Sequence, residues 1–373
     1  MIFTELRFVA LFVACWITFY LVPRRYRAAV LTFWGAAFYL IYAGPFFVVV
    51  LVLAILAFFS GRRAAAWLTG IATVGLLVYF KGTTTSILVP LGFSYLSFEL
   101  LHVVMERRRG RIEELSLIDL LAFVFFAPTR VAGPIKRYPD FVAAVRDAEP
   151  SSANVYAGLL RILFGLAKKY LLADVLALTV AEQTYVSSAL HAWIIVFAYS
   201  LQIYFDFSAY SDIAIGLGRI LGIGLPENFR WPYLAKNIRE FWDRWHITLS
   251  HWVRDYVFVP VGRTLFRGPL RRSPIVIAAI SYLVTFAIVG AWHGLTPAFL
   301  LWGVYHGVLL SLYHVVRLKT PVWIADHRWY EARAVRAASV MVTFFCVTLG
   351  WVPFMMPLPQ AQKMLALMFG VAR

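Results

Sequence analysis

Long apolar stretches separated by short basic segments are the feature that most constrains the fold of this 373-residue chain. A helix needs about 20 mainly apolar residues to cross a bilayer, with a range of ~17–25. Ten stretches approach that length: residues 6–22, 28–43, 45–59, 64–80, 87–105, 169–186, 190–216, 274–292, 296–316 and 337–356. We therefore predict an all-α, polytopic membrane protein of about ten transmembrane helices.

The composition excludes the soluble alternatives. Hydrophobic residues make up 61% of the chain and charged residues 14%, whereas a soluble domain has about 45–50% and about 25%. Such a chain would expose large apolar patches to water, and it is too apolar to be disordered. The two cysteines, Cys15 and Cys346, lie in apolar runs, which excludes a disulfide-rich secreted scaffold. The expected environment is the lipid bilayer.

Basic residues exceed acidic ones by 16 and are concentrated in short clusters between the apolar stretches. Residues 24–27, 62–63 and 107–111 are separated from one another by two predicted spans each, so the three clusters fall on one side of the membrane. The positive-inside rule makes that side cytoplasmic. The pattern predicts a multi-pass protein of the cell (inner, cytoplasmic) membrane, and it argues against nucleic acid as a partner.

Two long segments, residues 128–169 and 225–272, are too polar to be spans and too aromatic to be ordinary loops. Non-helical backbone at membrane depth is tolerated only where protein or a water-filled cavity satisfies its polar groups. We expect both to be re-entrant or interfacial parts of a single domain covering residues 1–373. The segment of residues 115–127 is too short to cross the membrane, and we expect it to be re-entrant or interfacial as well.

The second of these segments shows an apolar stripe at helical spacing. Lys236–Glu240 and Glu240–Arg244 form i,i+4 pairs on its polar side. This pattern predicts a helix along the membrane interface with its aromatic tips in the headgroup region. His246 would lie at the edge of the stripe, either as a packing or capping residue or as a functional one. The stripe consists of Ile238, Trp242, Trp245, Leu249, Trp252 and Tyr256.

Two carboxylates, Asp206 and Asp212, lie within the apolar stretch 190–216. Ionisable groups inside a membrane are costly and tend to mark functional paths. Their spacing places them on different faces of a helix, so they do not form a paired acid–base site. We expect them to hydrogen-bond neighbouring helices or to pair with arginines.

His293 is the strongest candidate for a general base. It ends an apolar stretch between Trp292, which can wall off one side of the imidazole, and Gly294, which loosens the helix. A neutral histidine in a poorly hydrated channel is suited to take a proton from an alcohol. With no serine, cysteine or carboxylate beside it, direct attack by a substrate hydroxyl is the economical mechanism. The alternative is a histidine that only packs at a helix end.

Two further histidines, His306 and His314, are eight residues apart on the next predicted helix and would share a face. A metal site would require closer spacing, such as i,i+4. We expect no metal.

Several motifs together resemble the membrane-bound O-acyltransferase (MBOAT) family, in its bacterial branch. They are AGPIKRY at 132–138, DFSAYSDIAIG at 206–216, PENF at 226–229, EFWDRWH at 240–246 and WHG at 292–294. The resemblance covers about residues 90–314, and it implies a helical membrane enzyme around a central tunnel. The two nearest types are the alginate O-acetylation proteins and the D-alanyl-lipoteichoic acid transferases. The sequence of residues 206–212 is more similar to the alginate type, although this chain is shorter after His314 than that type.

The resemblance also implies roles for individual residues. The family's central histidine corresponds to His293, and its preceding histidine or asparagine position corresponds to His246. Asn228, Arg244 and Trp245 are expected to contact the donor. The implied reaction moves an acyl group, most simply acetyl, from a cytoplasmic thioester to a hydroxyl. The donor would be acetyl-CoA or another acyl thioester, with no permanently bound cofactor.

The implied acceptor is an exported surface polysaccharide or a periplasmic acetyltransferase-like relay partner. A basic cytoplasmic face would attract a large anionic thioester. The residues that supply this charge are Arg244, Arg254, Arg263, Arg271 and Arg272.

Two alternatives stay open at this point. One is D-alanyl transfer to teichoic acid from a thioester on a carrier protein. The other is a non-enzymatic transporter or scaffold whose histidines line a proton or substrate path. Transporters often consist of repeated halves with interrupted helices, and the sequence shows no such repeat, which favours the enzyme.

Overall fold

The computed structural model describes residues 2–82, 91–319 and 333–371, and within these ranges the chain is helical and contains no strand. This confirms the all-α prediction. The chain divides into two compact units. The first comprises Met1–Ala167 and Ala209–Glu227, and the second comprises Lys168–Ser208 and Asn228–Arg373.

The first unit contains eight α-helices and the C-terminal part of a ninth within its described residues. They are α1 (Leu6–Leu21), α2 (Arg27–Ala43), α3 (Phe46–Phe58), α4 (Arg63–Gly82), α5 (Phe93–Arg108), α6 (Leu117–Phe125), α7 (Tyr138–Asp147) and α8 (Ser152–Ala167). The first residues of the predicted span 87–105 lie outside the described ranges. Ser116 caps α6 by accepting a hydrogen bond from the Asp119 N–H at 3.3 Å. With nine residues, α6 is too short to cross a bilayer, as expected.

A cluster of buried charges holds the start of the predicted re-entrant segment 128–169 inside the first unit. The Glu99 carboxylate accepts hydrogen bonds from Lys136 Nζ at 2.5 Å and from Arg130 Nη2 at 3.1 Å. All three side chains are buried, and such charges are tolerated only when they are paired. Gly92 has a φ of 64°, and a Cβ there would lie 1.6 Å from the Arg130 carbonyl oxygen, so only glycine fits.

The prediction of a span beginning at residue 169 is wrong in its boundary. The helix begins at Ser152, and its helical backbone continues through the wider turns of Lys168–Ala173 into α9 (Asp174–Ala181). The physical reason is glycine-mediated packing that hydropathy does not register. A Cβ on Gly158 would lie 2.7 Å from the carbonyl oxygen of Gly216, so the two backbones meet directly.

The second unit carries the remaining helices of the described chain. They are α9, the first part of α10 (Ala189–Ile220), α11 (Ile238–Trp242), α12 (Ile247–Val253), α13 (Val259–Arg267), α14 (Pro274–His293), α15 (Pro297–Lys319), α16 (Arg333–Met355) and α17 (Leu358–Met368). Proline is well suited to the first turn of a helix because it needs no N–H partner there. Both α14 and α15 begin with one, which fixes the short connection after His293.

Two glycines bring α14 and α15 into close contact. A Cβ on Gly303 would lie 2.2 Å from the carbonyl oxygen of Phe286, and a Cβ on Gly290 would lie 2.4 Å from that of Phe299. Small residues allow backbones to approach in this way where helices pair in membranes. The contact holds His293, at the end of α14, against the first turns of α15.

Five described helices are long and apolar enough to cross a membrane: α4, α10, α14, α15 and α16. The shorter α1 and α3 are also apolar. The chain is therefore a multi-pass helical membrane protein. The count of ten spans, the side on which each loop lies, the single domain and the central tunnel stay predictions.

Candidate active site

The helix predicted through residues 238–256 is broken at His246. α11 ends at Trp242 and α12 begins at Ile247, and between them His246 has φ 44° and ψ 51°, in the left-handed region. The cause is a competing partner for the backbone, because Ile247 N–H donates to the Asn228 carbonyl oxygen at 2.9 Å. Histidine is among the non-glycine residues that adopt this conformation more readily than most.

The apolar stripe itself is buried at all six predicted positions, Ile238, Trp242, Trp245, Leu249, Trp252 and Tyr256. The expectation that its aromatic tips lie in the headgroup region is wrong, since they pack within the protein. The Trp245 ring, for example, lies 5.1 Å from Phe229 and 5.0 Å from Trp351 between centroids. The predicted Glu240–Arg244 pair is present. Lys236 instead contributes its backbone N–H to the Glu240 carboxylate, at 2.7 Å.

His246 is buried and held by Asn228. Its Nδ1 lies 3.1 Å from Asn228 Oδ1, which also accepts a hydrogen bond from Thr248 Oγ1 at 2.9 Å. Because a carbonyl oxygen only accepts, Nδ1 carries the ring proton and Nε2 carries the lone pair. Burial lowers the pKa of His246 to about 3, so the imidazole is neutral near pH 7. The Phe207 ring stands edge-on to it at 4.8 Å.

The three residues expected to contact the donor occupy different environments. Asn228 and Trp245 are buried, and both support the turn that presents His246. Arg244 is partly exposed, pairs with Glu240, and accepts a backbone hydrogen bond from Arg230 N–H at 2.9 Å. Of the three, Arg244 alone is placed to meet a ligand directly. Donor binding by this set stays a prediction.

His293 is the last residue of α14 and is partly exposed within a group of aromatic rings. Its ring centroid lies 4.6 Å from Trp292, 5.1 Å from Trp302 and 4.8 Å from Phe354. The expectation that the neighbouring tryptophan walls off the imidazole is confirmed. The Trp292 ring also lies 6.5 Å from that of His246. The structure thus brings the two predicted histidines to the same tryptophan.

His306 belongs to the same aromatic group, which the sequence did not indicate. It is fully buried, and its ring lies 5.1 Å from Trp302 and 5.2 Å from Trp242. Neither ring nitrogen has a hydrogen-bond partner among the residues that the structure describes. His314 lies apart from it, 6.2 Å from the Tyr282 ring. Within the described ranges, no group of three or more potential metal ligands is found.

The two carboxylates of α10 are paired with basic residues, as expected. Asp212 accepts a hydrogen bond from Arg161 Nε at 2.6 Å, and Arg161 also pairs with Glu227. Asp206 pairs with Lys169 at 2.7 Å, so its partner is a lysine and not an arginine. Both aspartates are therefore balanced by positive charge and do not form an acid–base pair.

A basic surface follows α12. Four of the five arginines predicted to attract the donor are exposed, namely Arg254, Arg263, Arg271 and Arg272, and Arg244 is partly exposed. Exposed like charges of this kind raise the local concentration of an anionic ligand through their summed field.

Comparison with known proteins gives consistent matches. The family model described as MBOAT, membrane-bound O-acyltransferase family, matches residues 37–350. The teichoic acid D-alanyltransferase of Bacillus subtilis is 34% identical, covering 71% of this chain and 68% of its own. The probable alginate O-acetylase AlgI of Azotobacter vinelandii is 32% identical over 99% of this chain and 78% of its own. The peptidoglycan O-acetyltransferase of Helicobacter pylori is 30% identical over 76% and 60%.

Proposed function

The chain belongs to the membrane-bound O-acyltransferase family, and we propose that it moves an acetyl group from a cytoplasmic thioester to an exported hydroxyl. The donor is acetyl-CoA or a related acyl thioester. The acceptor is a cell-surface polysaccharide or a periplasmic relay partner. The observation that carries the proposal is the pair of imidazoles, His246 and His293, that contact one tryptophan ring.

In the proposed reaction, His293 is the general base. It takes the proton from the acceptor hydroxyl as the oxygen attacks the acyl carbon. The new ester bond forms, the carbon–sulfur bond breaks, and the imidazolium returns its proton to the departing thiolate. The surrounding rings of Trp292, Trp302 and Phe354 limit water, which protects the thioester from hydrolysis.

His246 orients a substrate group. With its Nδ1 proton donated to Asn228, its Nε2 accepts a hydrogen bond and does not donate one. It therefore positions an N–H or O–H group of donor or acceptor, and it does not polarise the acyl carbonyl. The fixed Asn228 contact sets both the tautomer and the direction of the ring.

A second candidate reaction is D-alanyl transfer from a carrier-protein thioester to teichoic acid. The 34% identity to the Bacillus subtilis enzyme favours it. The two reactions use the same proton transfers and differ in the donor. Incubation of purified protein with acetyl-CoA, or with a D-alanyl carrier protein, separates them, because only the true thioester is consumed faster in the presence of a hydroxyl acceptor.

The test of the site is the variant His293→Ala in purified protein, with His314→Ala as the matched control on α15. We expect His293→Ala to lower acyl transfer by about 10²–10⁴-fold, the usual contribution of a general base, without changing membrane insertion. His314→Ala should keep the wild-type rate. Normal transfer by His293→Ala would refute the assignment.

A further inference from the structure

A cavity of about 460 Å³ lies in the second unit. It is bounded by the turn Glu182–Tyr185, the end of α16 and one side of α17. Its volume falls in the range of small-ligand pockets, about 300–1,000 Å³. Part of its lining is apolar and adaptable, since it includes three methionines, Met355, Met356 and Met364.

The polar part of the lining is Gln183, Thr184, Gln360 and Lys363. None of these four side chains forms a hydrogen bond or ion pair with any described residue. Gln183 Oε1 is buried as well as unpartnered. Buried carbonyl oxygens in native structures are nearly always hydrogen-bonded, so Gln183 Oε1 is an acceptor without its expected partner. Thr184, Gln360 and Lys363 are exposed and offer their polar groups to the same cavity.

Neighbouring residues of α16 connect the cavity with the candidate active site. Phe354, whose ring lies 4.8 Å from His293, is followed directly by Met355 and Met356 of the lining. Four predicted spans separate the cytoplasmic cluster 107–111 from the basic residues between positions 317 and 336, because residues 115–127 are not expected to cross. The same count therefore predicts that these residues are cytoplasmic and that the end of α16 lies on the outer side. That is the side from which the proposed acceptor arrives.

We propose that this cavity is the acceptor subsite and that it binds an anionic, hydroxyl-rich segment of the acceptor polymer. This inference rests on the proposed function. Lys363 pairs with a carboxylate or phosphate group, Gln183 and Gln360 hydrogen-bond to hydroxyls, and the methionines contact the apolar faces of the repeat unit.

The charge in the lining decides between classes of acceptor. Among the described lining residues, Lys363 carries the one formal charge, and the Glu182 carboxylate beside the cavity lies 3.2 Å from His191 Nε2. Lys363 is exposed, so an anionic group on a bound chain can reach its ammonium group directly, and a neutral glycan would gain nothing from that charge. A uronate or a phosphodiester chain supplies the counter-charge together with hydroxyls, which is the chemistry common to both sources.

Binding can be measured without any acyl donor, so its failure is distinct from failure of the proposed reaction. The probes are a mannuronate hexamer, a glycerol-phosphate hexamer and neutral maltohexaose, each added to the full chain in neutral detergent. We expect an anionic hexamer to bind, and Lys363→Gln to weaken that binding about tenfold or more, as for the loss of a charge-assisted contact. Lys363→Arg should restore most of it.

Helix α17 offers a matched pair for the amide contact, because Gln360 lines the cavity and Gln362 is exposed without lining it. Gln360→Met should weaken binding of the anionic hexamer, and Gln362→Met should leave it unchanged. In transfer assays, Lys363→Gln should raise the acceptor KM, with acceptor-independent thioester hydrolysis unaffected.

Three results would overturn the inference. The first is that neither anionic hexamer binds the wild-type protein. The second is that Lys363→Gln binds both as the wild type does. The third is that Lys363→Gln binds both hexamers as the wild type does but no longer binds phosphatidylglycerol in vesicles, which would assign the cavity to a lipid headgroup.

Discussion

The close contact between α14 and α15 gives a sharp test of how the site is positioned. Gly303→Ala adds one methyl group to the face of α15 that meets α14. That carbon would lie 2.2 Å from the carbonyl oxygen of Phe286 and 3.4 Å from the Cα of Gly290. All three nearest atoms, which include the Phe286 carbonyl carbon at 3.0 Å, belong to the backbone, so no side chain can rotate away to make room.

The size of the effect follows from that distance. Non-bonded carbon atoms in ordinary contact lie about 3.5–4.0 Å apart, so the two helices must separate by roughly 1 Å at this point. Overpacking of this kind costs about 1–3 kcal/mol of stability. Trp302, the neighbouring residue, packs on His293 at 5.1 Å. A displacement of ~1 Å at a reacting group can cost about 100-fold in rate.

The assay compares thermal unfolding and acyl transfer in purified wild type and variant, at a temperature where both are folded. Gly75→Ala on α4 is the control, because a Cβ there meets nothing within 4 Å. Alanine in an open helical position is expected to stabilise by about 0.5–1 kcal/mol. A Gly303→Ala protein with the wild-type rate and melting temperature would refute the claim that this backbone contact positions the site.

Two further predictions concern the support of His246. Asn228→Ala removes the oxygen that accepts hydrogen bonds from His246 Nδ1 and Thr248 Oγ1. It should lower the free energy of unfolding by about 1–3 kcal/mol, measured by thermal unfolding, and should reduce the initial rate of acyl transfer. Unchanged values would show that the turn at His246 is stable without Asn228. The buried His246 stays neutral down to a pKa of about 3, while in the unfolded chain it takes up a proton below about pH 6.5. Its contribution to stability is therefore complete above pH 6.5 and decreases as the pH falls from 6.5 towards 3. The melting temperature of the wild type should accordingly fall more steeply than that of His246→Gln between pH 7 and 5, and parallel curves would contradict this.

The sequence predicted those features that depend on neighbouring residues. The sequence indicates that Trp292 shields the imidazole of His293, and the structure places the two rings 4.6 Å apart, while the catalytic role of His293 stays a prediction. The pairing of Asp212 followed from the cost of an unpaired carboxylate among apolar residues. In each case the deciding information lies in a short stretch of the chain.

Features that depend on distant residues were not predictable in this way. The helical period of residues 238–256 is unbroken, yet the backbone turns at His246 because Asn228 offers it a partner from another segment. The helix that begins at Ser152 was placed too late because Gly158 contributes little to hydropathy and much to packing. Periodicity predicts which residues are buried, and long-range contacts decide where a helix stops.

The arrangement of charge explains how such a site can work within a membrane. A catalytic carboxylate in an apolar helix would be either protonated or paired, and both aspartates of α10 are paired with basic residues. An imidazole, unlike a carboxylate, can be neutral without a charged partner. Burial among aromatic rings therefore keeps its lone pair available as a base and raises the free-energy cost of its protonated form. The proposed reaction needs that cation only briefly, between deprotonation of the hydroxyl and release of the thiol. Partial exposure of His293, in contrast to the buried His246, lowers the cost of this brief charge at the imidazole that bears it in the proposed reaction.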